Sequence, residues 1–223
     1  MSKVILYTSE LSPATRSTKV LIQILGIDVE YRPVNVLTGE QLKPEFLKIN
    51  PTHTLPTLDD NGFILWDSHA INTYLLTKFG GNNHELYPSD IAQRARIDQF
   101  LHFDGSTLFP RFGSLVVEVC FQGLPEVSEY SLNRATEALS FLNTFLEKSK
   151  YLAGDKLTIA DISCASVPLT FQRLIPNEYN KFGNVKAWID RLRGELPFFD
   201  EIHVEKLNAL EKFYFDKKVE NKK

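Results

Sequence analysis

The first side chain that could do chemistry is Ser12, which stands between a short apolar run and Pro13. Serine at the N-cap with proline at the first helical position is a common way to begin a helix. A helix that begins directly after a strand also points free N–H groups and partial positive charge at the edge of the sheet, which favours an anion there. Ser12 is therefore predicted to cap a helix, at a place where its hydroxyl could also donate to an anionic group.

The run Ser12-Pro13-Ala14-Thr15 also excludes one kind of chemistry. In redox-active proteins of the thioredoxin-like fold, the same strand-to-helix junction carries a Cys-x-x-Cys pair whose thiolate is stabilised by the helix end. No cysteine occupies this run, so dithiol chemistry is excluded at this position. The remaining option is a hydroxyl that donates to a thiolate carried by a ligand, which would lower the pKa of that thiol.

Two later stretches add groups that could bind a ligand. The loop "NPTHTLP" contains the peptide Leu55-Pro56, and the sequence alone favours the usual trans form of an X-Pro bond. In "WDSHAI", Ser68 is a natural helix N-cap, the N–H groups after it could hold a carboxylate, and Asp67 could pair with an amine. Simple capping is an equally good interpretation of Ser68.

These residues must be positioned by strands and helices, and along the first third of the chain the spacing of apolar residues alternates between the two. The order is strand, helix, strand, helix, strand, strand, helix, which predicts a small mixed sheet with helices on its faces. The predicted strands are residues 3–7, 29–36 and a hairpin over 57–66 that turns at Asp60-Asn61-Gly62. The predicted helices are residues 12–26 ending at Gly26, an irregular one over 39–50, and 68–80 ending at Gly80-Gly81.

Beyond a linker rich in turn residues, the pattern is helical throughout. The predicted helices are residues 91–120, 128–149, 158–174, 185–195 and 204–215. Thr158 and Asp161 predict a capping box, and Pro110 is expected to kink the first long helix near Phe109 and Phe112.

Composition narrows the classes of partner and location. The 223 residues carry a net charge of -3, without a dense basic segment, so no nucleic-acid partner is expected. No apolar run is long enough to span a membrane, and the amino-terminal apolar run is too short for a signal peptide, so a cytoplasmic protein is expected. The two cysteines, Cys120 and Cys164, lie far apart and suggest neither a disulfide framework nor a metal site.

Four motifs carry a resemblance to a known family over nearly the whole chain: "LSPATR", "LTGEQLKPEFLKINPTHTLPTLDDNG", "WDSHAI" and "YLAGDKLTIADIS". The chain resembles the cytosolic glutathione transferases of the insect delta and epsilon classes, and epsilon most closely. The resemblance implies an α/β thioredoxin-like domain at residues 1–80, a linker at 81–90 and an all-α domain at 91–223. It also implies a cytoplasmic homodimer that uses glutathione as co-substrate and no metal.

The resemblance also assigns roles to residues of the predicted glutathione site. Ser12 becomes the hydroxyl donor to the glutathione thiolate, and Pro56 the cis-proline whose neighbour Leu55 exchanges backbone hydrogen bonds with the cysteinyl part. Further implied contacts are His53 and Thr54 at the glycyl end, Asp67 and Ser68 at the γ-glutamyl end, His69 near the dimer axis, and Gln41 and Arg111.

Three of these positions depart from the epsilon pattern. Gln41 stands where histidine is common, and Asp67 where glutamate is common. An arginine that often reaches the ligand from the first long helix corresponds to Arg111 or is lost at Gly113. Loss of both Gln41 and Arg111 contacts would weaken glutathione binding, since a charge-assisted hydrogen bond is worth about 1.5–3 kcal/mol.

The second substrate is expected in an apolar cleft between the two domains. Phe109, Phe112 and Val116 recur at helical spacing, which is also typical of an ordinary core stripe. The full set implied for this hydrophobic substrate site is Pro13, Leu37, Phe109, Phe112, Val116, Phe121 and Phe213.

The leading functional hypothesis is conjugation of glutathione to hydrophobic electrophiles, as in detoxification of xenobiotics or lipid-derived electrophiles. In this hypothesis Ser12 stabilises the thiolate and is not itself the nucleophile. The same thiolate could instead reduce hydroperoxides, eliminate a halide or isomerise a ligand. A carrier of hydrophobic ligands, or a structural module without turnover, are the alternatives from other classes.

Overall fold

The computed structural model describes residues 4–82 and 84–223. Within the first range, four strands form one mixed sheet in the order β2, β1, β3, β4. The strands are β1 (Val4–Thr8), β2 (Val29–Pro33), β3 (Thr57–Asp60) and β4 (Phe63–Trp66). Strand β1 is parallel to β2 and antiparallel to β3, which is antiparallel to β4.

This register brings three chain junctions to one end of the sheet. Tyr7 near the end of β1 pairs with Thr57 at the start of β3, and Thr57 also pairs with Trp66 at the end of β4. The segment after β1 leads to Ser12, the segment before β3 ends at Pro56, and the segment after β4 begins with Asp67. The sheet therefore positions all three predicted sites side by side.

Helices cover the sheet and then form the rest of the chain. In the first range they are α1 (Pro13–Leu25), α2 (Pro44–Leu47) and α3 (Ser68–Leu75), which continues as a π-helical turn over Leu76–Gly80. In the second range they are α4 (Ile91–Phe103), α5 (Phe109–Cys120), α6 (Glu129–Phe145), α7 (Ile159–Cys164), α8 (Ser166–Leu174), α9 (Pro176–Tyr179), α10 (Gly183–Glu195) and α11 (Phe199–Glu220).

The architecture predicted from the sequence, an α/β thioredoxin-like part followed by a helical part, is confirmed. Helix α1 lies between the two parts and packs against α3 on one side and α7, α8 and α11 on the other. Its buried face includes Val20, Leu21 and Ile22, and Gly26 ends it at a φ of 61°. None of the helices in the described ranges is long and apolar enough to cross a membrane.

Several local predictions are confirmed because short-range hydrogen bonds decide them. The hairpin turns at Asn61-Gly62, where both residues have positive φ, as the tight two-residue turn requires. Thr158 and Asp161 form the predicted capping box, in which the Thr158 N–H and hydroxyl both donate to Asp161 Oδ2 at 3.0 Å.

Other local predictions are wrong. Strand β2 ends at Pro33 rather than at residue 36, and residues 39–50 contain a 3₁₀ turn over Glu40–Leu42 followed by α2 rather than one helix. The helix predicted over residues 91–120 is not continuous, since a π-helical segment over Asp104–Leu108 separates α4 from α5. Pro110 lies in the first turn of α5, where proline is well tolerated. Helix α11 runs from Phe199 to Glu220, well beyond the predicted 204–215.

Candidate active site

Ser12 joins the start of α1 to the loop before β3. It is the N-cap of α1, with a φ of -84° and a ψ of 121°, and its Oγ accepts a hydrogen bond from the Thr15 N–H at 3.3 Å. The same hydroxyl donates to the carbonyl oxygen of Leu55 at 3.2 Å. The predicted cap is confirmed, and the hydroxyl proton is directed at the loop rather than into α1.

Asn50 sets the conformation of the loop that leads to Pro56. Its fully buried amide donates to the carbonyl of Thr54 at 3.1 Å and to Thr57 Oγ1 at 2.9 Å, and its Oδ1 accepts from the Thr52 N–H at 3.0 Å. His53 follows with a φ of 48°. The sequence reasoning missed Asn50, although an asparagine before Pro51 is a turn signal.

The Leu55–Pro56 peptide bond is cis. The pattern of the sequence alone favoured trans, and only the family resemblance implied cis. Leu55 and Pro56 both line the cavity at this end of the sheet.

Asp67, rather than Ser68, is the N-cap of α3, so the capping prediction for Ser68 is wrong. Asp67 has a φ of 72°, and its Oδ1 accepts from the N–H groups of His69 at 2.9 Å and Ala70 at 3.2 Å. The side chain of Asp67 stays 51% exposed, which leaves this carboxylate accessible to a ligand. Ser68 is the first residue of α3 and is buried.

His69 connects Asp67 to the helical part of the chain. Its Nε2 lies 2.8 Å from Asp104 Oδ2, and its Nδ1 lies 3.3 Å from Asp67 Oδ1. Burial by itself lowers the pKa of His69, but hydrogen bonds to Asp104 and Asp67 outweigh burial and raise the pKa to about 9. His69 is therefore a cation at neutral pH.

His69 also affects the pKa values of its two carboxylate partners, Asp67 and Asp104. The hydrogen bond from His69 lowers the pKa of Asp67, so that this carboxylate is ionised at neutral pH. Burial raises the pKa of Asp104, and the charge on His69 opposes that rise. The sequence reasoning missed Asp104, which stands 35 positions after its partner and belongs to no local motif.

A cavity of about 310 Å³ lies between these elements. It brings together seven of the predicted site residues, which are Thr54, Leu55, Pro56, Asp67, Ser68, His69 and Phe109. Its remaining lining residues are Ala14, Trp66, Asp104 and Gly105. A second cavity of about 560 Å³ shares Asp67, His69 and Gly105 with it and continues along α3 and α4.

The side chains of Arg111 and Gln41, both expected to contact glutathione, bond other parts of the chain instead. The guanidinium of Arg111 donates to the carbonyl of Arg134 at 2.9 Å and pairs with Glu137 at 2.9 Å, both on α6. At Gly113, the other position to which the family's arginine could correspond, a side chain would have open space around it. Gln41 donates to the carbonyl of Val36 at 3.5 Å and is not part of the cavity lining. The structure therefore brings neither Arg111 nor Gln41 to this cavity.

The predicted hydrophobic set divides between core and surface. Phe109 lines the cavity and stacks edge-on against Phe112, with ring centroids 5.8 Å apart, but Phe112 is itself a buried core residue. Phe121 is 67% exposed at the end of α5. Of the others, Pro13 is buried, Val116 and Phe213 are half-buried, and exposed Leu37 lines a separate groove beside Leu11 and Val34.

Comparison with known proteins identifies the family. A model of the glutathione S-transferase N-terminal domain matches residues 6–83, and one of the glutathione S-transferase C-terminal domain matches residues 107–195. Glutathione S-transferase D7 of Drosophila melanogaster is 37% identical over 211 residues, which are 95% of this chain and 93% of that relative. This chain belongs to the glutathione S-transferase family.

Solved glutathione transferase structures have the same fold over nearly their whole length. Glutathione transferase E6 from Drosophila melanogaster superposes with a TM-score of 0.90 at 35% identity, covering 97% of this chain and 98% of that one. A glutathione transferase homologue from Drosophila mojavensis, with bound glutathione, gives a TM-score of 0.90 at 34% identity over the same fractions. The insect glutathione transferase resemblance, and with it the classification as an enzyme, is confirmed.

Proposed function

We propose that this glutathione transferase conjugates glutathione to hydrophobic electrophiles and that the Ser12 hydroxyl stabilises the glutathione thiolate. The observation that carries the proposal is the position of that hydroxyl, which caps α1 and lies 3.2 Å from the carbonyl of Leu55 at the cavity. A hydroxyl held at a helix N-terminus can donate to an anion in a region of partial positive charge.

The thiolate is favoured by the way Ser12 is held. The Thr15 N–H donates to Ser12 Oγ, and the hydroxyl proton is directed away from α1, where it bonds the Leu55 carbonyl. When a thiolate competes with the Leu55 carbonyl for that proton, the charged acceptor wins, since hydrogen bonds to ions are stronger than those to neutral groups. The pKa of the thiol falls, and more of the nucleophile is ionised at neutral pH.

The opposite end of the cavity suits the charged γ-glutamyl end of glutathione. Asp67 carries an ionised, half-exposed carboxylate that can accept from an ammonium group. The Ser68 hydroxyl is beside it, and the cation on His69 compensates the two carboxylates on either side of the ring. On this proposal, His53 and Thr54 hold the glycyl end, and Leu55 uses its backbone to hold the cysteinyl part.

In the conjugation step the thiolate sulfur attacks an electrophilic carbon and forms a carbon–sulfur bond. The leaving group departs with the electron pair of its bond, in the same step at a saturated carbon and after addition of the thiolate at an aromatic carbon, while the thiol proton has already passed to solvent. Phe109 provides apolar surface at the cavity, whereas Phe121 and Phe213 are not among its lining residues. Holding both reactants together supplies a large part of the rate enhancement.

The proposal also includes a cytoplasmic homodimer. Trp66, 47% exposed at the end of β4, lines the cavity of about 310 Å³ and would be covered by a second copy. Light scattering at micromolar concentration tests this part: a mass of two chains is expected, and a mass of one chain would contradict it.

The assay that tests the proposed activity is conjugation of glutathione to a chlorinated dinitrobenzene. Ser12→Ala should lose activity by about 100-fold, while Ser12→Thr, which keeps a hydroxyl, should retain a larger share. Ser17→Ala is the matched control, because the Ser17 hydroxyl on the same helix bonds only the carbonyl of Ala14 among the contacts that the structure describes. Full activity of Ser12→Ala would contradict the role proposed for the hydroxyl, whereas failure of the wild type to bind immobilised glutathione would favour a carrier or a structural module.

A further inference from the structure

Arg16 is a fully buried guanidinium one turn after Ser12 on α1. Arginine is rarely buried completely, since the loss of hydration must be offset by hydrogen bonds or by opposite charge. Burial lowers the pKa of Arg16 to about 9, and the negative charge of Glu10 opposes that fall. Because burying this cation is unfavourable, we expect Arg16 to do more than fill space in the core.

The two ends of the guanidinium fork join separate parts of the chain. Nη1 donates to the carbonyl oxygen of Glu10 at 3.1 Å, in the turn between β1 and Ser12. Nη2 donates to Thr170 Oγ1 at 2.8 Å, on helix α8. Arg16 therefore connects the turn before Ser12 to the helical part of the protein.

Other contacts hold the same turn from α1 and from the turn itself. The Ser9 N–H donates to Thr15 Oγ1 at 3.4 Å, the Ser12 N–H donates to the carbonyl of Ser9 at 3.0 Å, and Lys19 pairs with the Glu10 carboxylate. None of these contacts reaches α8. Arg16 is thus the member of this group that fixes the turn relative to the helical part.

Arg16, rather than the neighbouring His203, carries the positive charge at this buried position. His203, from α11, is fully buried, and neither ring nitrogen has a partner among the described residues. Burial, together with the charges of Arg16 and Arg193, lowers the pKa of His203 well below its usual value, so this ring is neutral. The Thr170 hydroxyl donates a hydrogen bond to the carbonyl of Ser166 at 2.9 Å, and its oxygen accepts from Arg16.

We propose that Arg16 is a positioning residue. Through its hydrogen bond to Thr170 on α8, it holds the Ser12 hydroxyl where that hydroxyl can donate to the glutathione thiolate. This inference rests on the proposed function. It makes the acidity of the bound thiol depend on a hydrogen bond in the helical part of the chain, on the far side of α1 from the cavity.

Thr170→Val is the main test, because it preserves the shape of the side chain and removes the oxygen that Arg16 Nη2 needs. The thiol pKa of bound glutathione, followed by thiolate absorbance, should rise, and kcat for conjugation should fall about tenfold through misplacement of the hydroxyl. The KM for glutathione should change little, because the groups that bind its two ends are untouched. Thr170→Ser restores the oxygen and should restore both values.

Ser163→Ala is the matched control for a purely structural role. The Asn72 amide donates to Ser163 Oγ at 3.3 Å, which is another buried hydrogen bond between the sheet-containing part and the helical part. Ser163→Ala should lower the melting temperature while the thiol pKa stays at the wild-type value. Arg16→Lys keeps the charge without the fork and should behave like Thr170→Val.

The outcomes separate this inference from the proposed function. A wild-type complex whose thiol titrates like free glutathione contradicts the proposed function itself. A wild-type shift that Thr170→Val retains in full, or that Ser163→Ala loses to the same extent, contradicts only the role of Arg16.

Discussion

The Ser12 hydroxyl lies 3.2 Å from the carbonyl oxygen of Leu55, a residue 43 positions later in the chain. The contact exists because β1 and β3 are antiparallel neighbours, so the segment leaving β1 meets the segment entering β3. This hydrogen bond therefore joins the helix cap to the loop beside the cavity. The Ser12 side chain therefore caps α1 and contacts the loop that lines the cavity.

Ser12→Asp separates these two roles. Aspartate is as good an N-cap as serine and favours the positive helix end, whereas Ser12→Ala should cost about 1 kcal/mol in the free energy of unfolding. The new carboxylate would repel a thiolate and cannot donate to the Leu55 carbonyl, so Ser12→Asp should be more stable than Ser12→Ala and nearly inactive. Urea unfolding and the conjugation assay measure the two effects, and an active Ser12→Asp enzyme would contradict the hydroxyl's role.

Asp104→Asn tests whether the ion pair between His69 and Asp104 stabilises the fold. Since the folded-state pKa of His69 is raised from 6.5 to about 9, its protonation stabilises the fold fully below pH 6.5, and this contribution is lost as the pH rises through about 9. Asp104→Asn removes the closer partner and should lower the free energy of unfolding by on the order of 2 kcal/mol at about pH 6.

The loss should shrink or reverse at about pH 9.5, where His69 is neutral and a buried Asp104 carboxylate has no cation beside it. Urea unfolding of both proteins at the two pH values measures the difference. An equal difference at both pH values would show that the ion pair does not account for the effect.

Arg111→Ala should leave glutathione binding unchanged. The guanidinium bonds Arg134 and Glu137 on α6 and does not line the cavity, so its loss removes packing between α5 and α6. The expected cost is about 1 kcal/mol in the free energy of unfolding, with the same KM for glutathione. A several-fold rise in KM would mean that Arg111 moves to the ligand when glutathione binds.

Asn50→Ala should damage the loop that carries Leu55. The buried amide makes several hydrogen bonds across residues 52–57, and its loss should cost about 2–4 kcal/mol in the free energy of unfolding. A misplaced loop should also raise the KM for glutathione. Asn133→Ala, on the exposed face of α6, is the control and should match the wild type in both measurements. A normal KM in Asn50→Ala would mean that another contact holds the loop.

The features that could be predicted from the sequence depend on contacts within a few residues. The Ser12-Pro13 cap, the Asn61-Gly62 turn and the pairing of Thr158 with Asp161 each rest on hydrogen bonds inside one turn. A single sequence shows such contacts directly, because residue type and spacing decide them.

The features that were missed depend on contacts between distant parts. Asp67 and Ser68 are both good caps, and Asp67 fills the position because β4 ends at Trp66 and leaves Asp67 at a φ of 72°. Arg111 could have pointed toward the cavity, but Glu137 on α6 attracts it the other way. Asp104 is identified only by the histidine that folding places 2.8 Å away.

The central claim is tested most directly by the thiol pKa of glutathione bound to the wild type and to Ser12→Ala, followed by thiolate absorbance across pH. The wild type should lower this pKa by about two units relative to free glutathione, and Ser12→Ala should return it close to the free value. The same lowered pKa in both proteins would contradict the role assigned to the Ser12 hydroxyl.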